Sequence, residues 1–423
     1  MSKLIYSDYL YYFFLLLFKV VLDYSYASVV SFEYSYSGFH YNFETKRFLF
    51  AWFLYFIGLI FIAPKVRLRL VSDYFVLTAY LAVLTPIIVI YGLDCERVFF
   101  PVLVTFLAVW LISVFSKISF PIKVPVVCGG ENIAVIISLV FVVFLVFWYF
   151  YTGVVVNLDF SKVYLYRNYN SELSSFGVFA YTNTWTYQVF NIFLIVISLK
   201  YRRFLLCFLL LFVQVFFFAA STHKSILFYP ILVFGVWYYF RFYSSLMVVP
   251  VVFSFVIFLG LFSYHMFGDI WLSSLFSRRV FFVPANLTYV YIEFFDFNEK
   301  VYWSNSILSR FLDYPYSSSV SRVIGSYLGD DSLGANNGFV ASGYAHAGLF
   351  GVLIYAILTS FVFSLLNNLS KYGVQNWVVL SMSIIPVRAL LISSDLFTTL
   401  LTHGFIMSVF LVVLIREGKK NAS

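Results

Sequence analysis

The sequence predicts an all-α integral membrane protein, with about twelve transmembrane helices and one large loop on the non-cytoplasmic side. Three observations predict it: the composition, the length of the apolar runs, and the side on which basic residues gather. Of 423 residues, 62% are hydrophobic and 11% are charged, and the mean hydropathy is +0.93. A soluble chain of this length has too little core to hide that much apolar surface. In lipid every backbone N–H and C=O must be paired internally, which leaves helices or a closed barrel. A barrel would show short segments of alternating polarity. Here runs such as 133–151 and 204–220 are continuously apolar. At ~1.5 Å per residue they cross ~30 Å of hydrocarbon as helices.

The expected spans are 4–22, 48–63, 74–92, 98–115, 133–152, 177–198, 204–220, 226–240, 246–264, 347–368, 376–392 and 397–415. The sixth is the most polar, carrying Asn183, Thr184, Thr186, Gln188 and Asn191. The chain therefore divides into nine spans with short loops (1–264), a large loop (265–346), and three spans with a tail (347–423). The first apolar stretch lacks a basic leader and a small-residue cleavage site, so it reads as a retained span.

One set of connections holds Lys3, Lys65, Arg67, Arg69, Lys117, Lys123, Lys200, Arg202, Arg203, Arg241, Lys371, Arg416, Lys419 and Lys420, against Asp73, Glu131 and Glu417. The opposite set is longer and richer in acids. By the positive-inside rule the first set is cytoplasmic, and so are both termini. The net charge of +8 is thus a matter of topology and gives no sign of nucleic-acid binding. The opposite face has loops at 23–47, 153–176 and 265–346. Aromatic residues recur through the last one, which is expected to fold onto the membrane face with short helices near 271–282 and 285–297.

Several residues there could carry chemistry. Ser277-Arg278-Arg279, Arg310 and Arg322 place arginines on a face without an anionic leaflet to attract them. An arginine fork suits phosphate oxygens. The alternative for each is a pair with Asp269, Glu293, Asp296, Glu299 or Asp313; for Arg278 and Arg279, beside apolar Val280-Phe281-Phe282, a ligand is the better account. Lys224 sits in the turn Ser221-Thr222-His223-Lys224-Ser225 between two apolar spans, where it either snorkels to water or binds an anion. Arg388 lies inside a span after Pro386, either serving a site or pairing with Asp395 or a freed carbonyl. Asn336 and Asn337 either bind a polar ligand or cap the next helix. His346 is either a base or a hydrogen-bonded interfacial residue.

Other chemistries are not indicated. There is no P-loop, no Gly-x-Gly-x-x-Gly and no His-Glu-x-x-His. Cys95, Cys128 and Cys207 are isolated. Asp94-Cys95-Glu96 and Asp330-Asp331 are weak cases for a divalent ion, and the sequons at Asn286, Asn368 and Asn421 carry no weight. No cofactor and no metal are expected.

Over 270–355 the chain carries, in order, Arg-Arg-x-Phe-x-x-Pro-Ala (278–285), Tyr-Ile-Glu-Phe-Phe (291–295), Ile-Gly (324–325), Ala-Asn-Asn-Gly-Phe (335–339) and His-Ala-Gly-Leu-x-Gly (346–351). With its many spans and one late, large loop, it resembles the bacterial O-antigen polymerases, the oligosaccharide repeat-unit polymerases. The turn at 221–225 is also similar to one in the O-antigen ligases, with Lys224 in the place of the cation. The ligase histidine is missing, since Asn336-Asn337 stands where a His-Asn pair would be.

The resemblance implies a GT-C-like fold and a metal-independent, inverting glycosyltransferase in the bacterial inner membrane. The donor would be a growing glycan on undecaprenyl diphosphate, and the acceptor a repeat unit on the same carrier. Arg278, Arg279 and Arg322, with Lys224, would stabilise the departing diphosphate. His346 would be the base, with Glu293 or Asp313 in reserve, while Asn336, Asn337 and Arg388 would bind substrate. A chain-length regulator is implied as a partner. A flippase for lipid-linked oligosaccharide would share the substrate but should show paired halves. A ligase would differ in its acceptor, and a channel would need a repeated pore lining.

Overall fold

The computed structural model describes residues 2–118, 125–160 and 162–416. Lys123, Glu417, Lys419, Lys420 and the sequon at Asn421 lie outside the described residues, as does the side chain of Lys3. Among the described residues the fold is all-helical, and β-pairing is confined to isolated bridges at Asn42–Asp94 and Arg67–Ser245.

In chain order, α1 runs Ser2–Ser25 and continues through a π stretch, Tyr26–Val30, to Glu33. Then follow α2 (Thr45–Phe61), α3 (Val71–Leu93), α4 (Phe100–Phe115), α5 (Gly130–Thr152), α6 (Val163–Ser174) and α7 (179–200). Next come α8 (Phe204–Ser221), α9 (Ser225–Phe240), α10 (Val248–Phe267), α11 (271–297) and α12 (Val320–Tyr327). The chain ends with α13 (Phe339–Lys371), α14 (Asn376–Ile392), α15 (Leu396–Leu401) and α16 (Phe405–Leu414).

Seven helical runs are long and apolar enough to cross a membrane: Asp8–Glu33, Val71–Leu93, Gly130–Thr152, Phe204–Ser221, Val248–Phe267, Phe339–Lys371 and Leu396–Leu414. Helices α4, α9 and α14 are apolar but shorter. The expected spans 48–63 and 177–198 fall on α2 and α7, which belong to neither group. The protein is a helical, multi-pass membrane protein.

The described chain forms two compact units. The first is built from Met1–Ile118, Ser244–Ser364 and Leu390–Leu396, and the second from the described residues among 119–243, 365–389 and 397–423. At the centre of the first unit lies α3, with 89% of its most apolar window buried. It is flanked by α2, α4 and α11, while α1 packs on α10 and α10 on α11. In the second unit α7 packs on α5 and α8, α8 on α9, and α16 on α5. Only 28% of the apolar window of α5 is buried, so most of that helix is left for lipid.

The two short helices expected near 271–282 and 285–297 are present, but joined and buried. Residues 271–297 form one continuous helix, α11, beginning with a ten-residue π stretch, Ser273–Phe282. From Pro284 to Ile292 every residue is buried. Phe281, Phe282, Tyr289, Tyr291 and Phe295 are buried, and the helix packs against α3 and α4. The π stretch ends just before Pro284, which has no N–H to give an i−4 carbonyl; Tyr80–Leu84 in α3 likewise stops just before Pro86. The loops expected at 23–47 and 153–176 are also partly helical, through the end of α1 and through α6. Lys19 in α1 is fully buried, forms an i,i+4 ion pair with Asp23, and lies over the Trp52 ring.

Candidate functional site

In the first unit the predicted His346 sits at a break in α13. Ala347 (φ −151°, ψ 34°) and Gly348 (φ 58°, ψ −143°) leave helical geometry directly after it. Glycine is the residue that adopts the latter conformation without a Cβ clash. The break lets the segment after α11 dock on the freed backbone. Val301 N–H donates to Ala345 O (2.9 Å) and Tyr302 N–H to His346 O (2.9 Å). Docking forces Tyr302 (φ 47°) and Trp303 (φ 57°) into the left-handed region, which costs a non-glycine residue about 1–3 kcal/mol.

That strained pair builds a polar network. Trp303 N–H donates to His346 Nδ1 at 3.1 Å, and the Trp303 ring stacks on the imidazole at 5.1 Å and 12°. His346 Nε2 lies 3.3 Å from Asp395 Oδ2. Tyr355 O–H donates to the same oxygen at 2.7 Å, and receives Trp303 Nε1–H at 3.0 Å. Asp395 stands in the link between α14 and α15. The sequence analysis singled out His346 but missed Trp303 and Tyr355, and met Asp395 only as a candidate partner of Arg388. They are distant in sequence and match no motif.

Arg278 and Arg279 stand on α11 and Arg322 on α12, while Arg310 is exposed in the turns between them. Arg278 lies over the Tyr34 ring at 4.2 Å, and its Nε is buried without a hydrogen-bond partner, as are the hydroxyls of Ser273 and Ser277 in the same π stretch. Arg279 and Arg322 are exposed. Their alternative, pairing with the loop's acids, is not realised among the described residues. Glu293 accepts from Tyr327 O–H (2.9 Å), Asp296 from Tyr344 O–H, and Asp269 from Ser263 Oγ–H (3.1 Å) and Trp271 N–H (3.0 Å). Asn336 is exposed. Asn337 is buried, and its amide donates to Pro284 O (3.0 Å) and Thr288 Oγ1 (3.1 Å) of α11. It therefore fastens α11 to the start of α13.

In the second unit the turn at 221–225 gathers cations. Helix α6 is laced to the end of α8: Asn170 Nδ2–H donates to Ala220 O and Val155 O (both 2.8 Å), and Asn157 N–H to Ala219 O (2.9 Å). That lacing brings Arg167 Nη2 to 3.3 Å from the carbonyl of Thr222, which itself has φ 56°. Lys224 lies over the Phe160 ring at 5.5 Å. Burial first, then Arg167, then His403 hold the His223 imidazole down to about 4. His403 in turn feels Arg388. Lys224 and Arg388, chosen from sequence, thus belong to a set that also includes Arg167, His223 and His403.

One carboxylate of each acidic pair has structural employment. Asp94 is buried, bridging to Arg97 Nε (3.1 Å) and accepting from Glu96 N–H (3.2 Å) and Asn42 Nδ2–H (3.4 Å). Asp330 accepts from Ser332 N–H (2.9 Å) and Oγ–H (2.7 Å). No group of three or more metal-ligating side chains occurs among the described residues. A cation cluster and a carboxylate–imidazole–phenol network can hold an anion and move a proton. No protein-family model, curated protein or solved structure matches the chain.

Proposed function

We propose that this protein is an O-antigen polymerase. It transfers the growing glycan from undecaprenyl diphosphate to the terminal sugar of another undecaprenyl-diphosphate-linked repeat unit, at the periplasmic face of the bacterial inner membrane. In this reading the chain has about twelve spans in a GT-C-like arrangement, with both termini in the cytoplasm, and a chain-length regulator is a partner.

The observation that carries the reading is the meeting of two cations, Arg167 and Lys224, at the turn 221–225 between two apolar helices, beside the neutral imidazole of His223. Arginine and lysine beside a turn between apolar helices suit phosphate oxygens carried on an apolar tail. A lipid diphosphate supplies two phosphates on an apolar tail. As the glycosidic carbon–oxygen bond to it breaks, negative charge grows on the leaving oxygen. Fixed cations then stabilise the transition state more than the ground state. Polymerisation uses two diphosphate lipids, and Arg278, Arg279 and Arg322 form a further set of cations without acidic partners among the described residues. Those arginines suit the second head group.

The test uses purified protein, synthetic undecaprenyl-diphosphate repeat units and a chelator, with a glycan ladder as the readout. Wild type is expected to build a ladder. Lys224→Met and Arg279→Ala are expected to lose it by ~100-fold or more while keeping the wild-type melting profile. Folded wild type that builds no ladder, yet moves the lipid-linked unit across liposomes, would replace this reading with a flippase.

A further inference from the structure

We infer that Asp395, rather than His346, accepts the proton of the attacking hydroxyl, and that His346 and Tyr355 are positioning residues that hold its carboxylate. The inference rests on the polymerase reading and assigns the base that reading requires.

Both nitrogens of His346 are engaged. Nδ1 faces the backbone N–H of Trp303, and a backbone N–H is always a donor, so Nδ1 must be the acceptor. That contact assigns the ring hydrogen to Nε2, which points at Asp395 Oδ2. An imidazole in this tautomer has no lone pair left with which to take a proton from a substrate. It is also sealed: the His346 side chain is 5% exposed and that of Asp395 24%. A substrate hydroxyl reaching this network meets the carboxylate first.

The surroundings of Asp395 are those of a held base. His346 Nε2–H and Tyr355 O–H both address Oδ2, which fixes the plane of the carboxylate. Tyr355 can give its proton in that direction because its own oxygen receives Trp303 Nε1–H. Tyr291 of α11 also lies within electrostatic reach. The titratable groups His346, Tyr355 and Tyr291 thus face the carboxylate from α11 and from both sides of the α13 break. Left-handed backbone at Tyr302 and Trp303 is maintained to keep Trp303 between His346 and Tyr355.

The step balances. The acceptor hydroxyl gives its proton to the Asp395 carboxylate as its oxygen bonds to the anomeric carbon. The bond from that carbon to the diphosphate oxygen breaks, and the electron pair leaves with the diphosphate. Asp395, now a neutral acid, returns the proton to water before the next cycle.

The experiment measures ladder formation with the full-length protein in detergent or liposomes, as kcat, KM and a pH–rate profile. Asp395→Asn should lose 10²–10⁴-fold in kcat with little change in KM. His346→Gln, whose amide N–H replaces the Nε2–H donor, should lose less than tenfold. Tyr355→Phe removes one donor from the carboxylate, so its pKa rises and the acid limb of the profile moves to higher pH. A purely structural tyrosine would leave that limb in place. Asp395→Asn that retains more than a tenth of wild-type kcat, or His346→Gln that loses as much as Asp395→Asn, overturns the assignment. If Asp395→Asn does not fold, an unmoved acid limb in Tyr355→Phe overturns it instead. Wild type without any ladder is a different failure, that of the polymerase reading itself.

Discussion

Asn337 offers a direct measurement of which predicted site residues are structural. It is 4% exposed, and its side chain is engaged on both sides. The amide N–H groups reach Pro284 O and Thr288 Oγ1 on α11, and Oδ1 accepts Gly338 N–H at 2.8 Å where α13 begins. In Asn337→Ala the Pro284 carbonyl still receives Thr288 Oγ1–H (2.9 Å), but Gly338 N–H loses its acceptor. A buried orphaned donor costs about 1–3 kcal/mol, and loss of a polar residue at a helix start costs about 1 kcal/mol. The two overlap, so about 2 kcal/mol is expected, or roughly 2 °C in apparent melting temperature. Asn337→Asp keeps the acceptor for Gly338 but turns a carboxylate oxygen towards Pro284 O, and should be at least as unstable. Exposed Asn336→Ala should stay within about 0.5 kcal/mol of wild type. Thermal unfolding of the purified variants reads all three. An Asn337→Ala protein as stable as wild type but unable to extend a glycan would refute this reasoning and return Asn337 to the substrate.

Two further outcomes are expected. His223 is held at about 4, below its ordinary 6.5, so as pH falls from about 6.5 towards 4 the unfolded state takes up a proton that the folded state refuses. Stability is therefore full above 6.5 and declines below it, by at most about 3 kcal/mol; the melting temperature of His223→Gln should fall less steeply than that of wild type over this range, and parallel curves would show that His223 is not the group responsible. The exposed thiols Cys95 and Cys128 and the buried Cys207 test the orientation: an impermeant maleimide should label Cys95 in spheroplasts and Cys128 only after permeabilisation, and Cys128 labelling in sealed spheroplasts would invert the topology.

The apolar runs were legible because a span declares itself by length. α5, for example, matches its expected bounds of 133–152 closely. The helical stretches of α11 were legible near 271–282 and 285–297, but their fusion and burial were not, because apolar residues spaced among Asn286, Thr288, Glu293 and Asp296 read as part of a surface loop. Pro284, better placed at a helix start than within one, sits inside α11 just after the π stretch ends. The π stretch Ser273–Phe282 has no compositional signature at all: it follows from where the hydrogen-bond ladder must shift, which depends on the neighbours of the helix as much as on its own residues. Arg278, Arg279, Lys224 and Arg388 stood out because a charge in an apolar context is rare. Arg167 did not, because α6 is polar and its role depends on Asn170 lacing it to α8. Asp395 acquires its meaning only from His346, Tyr355 and Trp303, and no spacing rule connects them.

The 35 tyrosines show the same limit from the side of stability. Between helices in lipid there is no hydrophobic gain on association, so packing and polar fasteners hold a bundle together. A buried phenol must also find an acceptor. Here several find backbone carbonyls, which have a second lone pair beyond the one used by the helix ladder. Tyr11 O–H reaches Pro64 O (3.0 Å), Tyr55 reaches Leu15 O (2.6 Å), Tyr80 reaches Tyr55 O (2.7 Å) and Tyr291 reaches Ala335 O (2.8 Å). Tyr55 and Tyr80 also stack, at 5.4 Å between centroids. Each bond ties α1, α2, α3 or α11 to another part of the first unit without placing a charge in the interior. The acceptor is a main-chain oxygen that any residue type supplies, so no pairing of side chains in the sequence marks these joints.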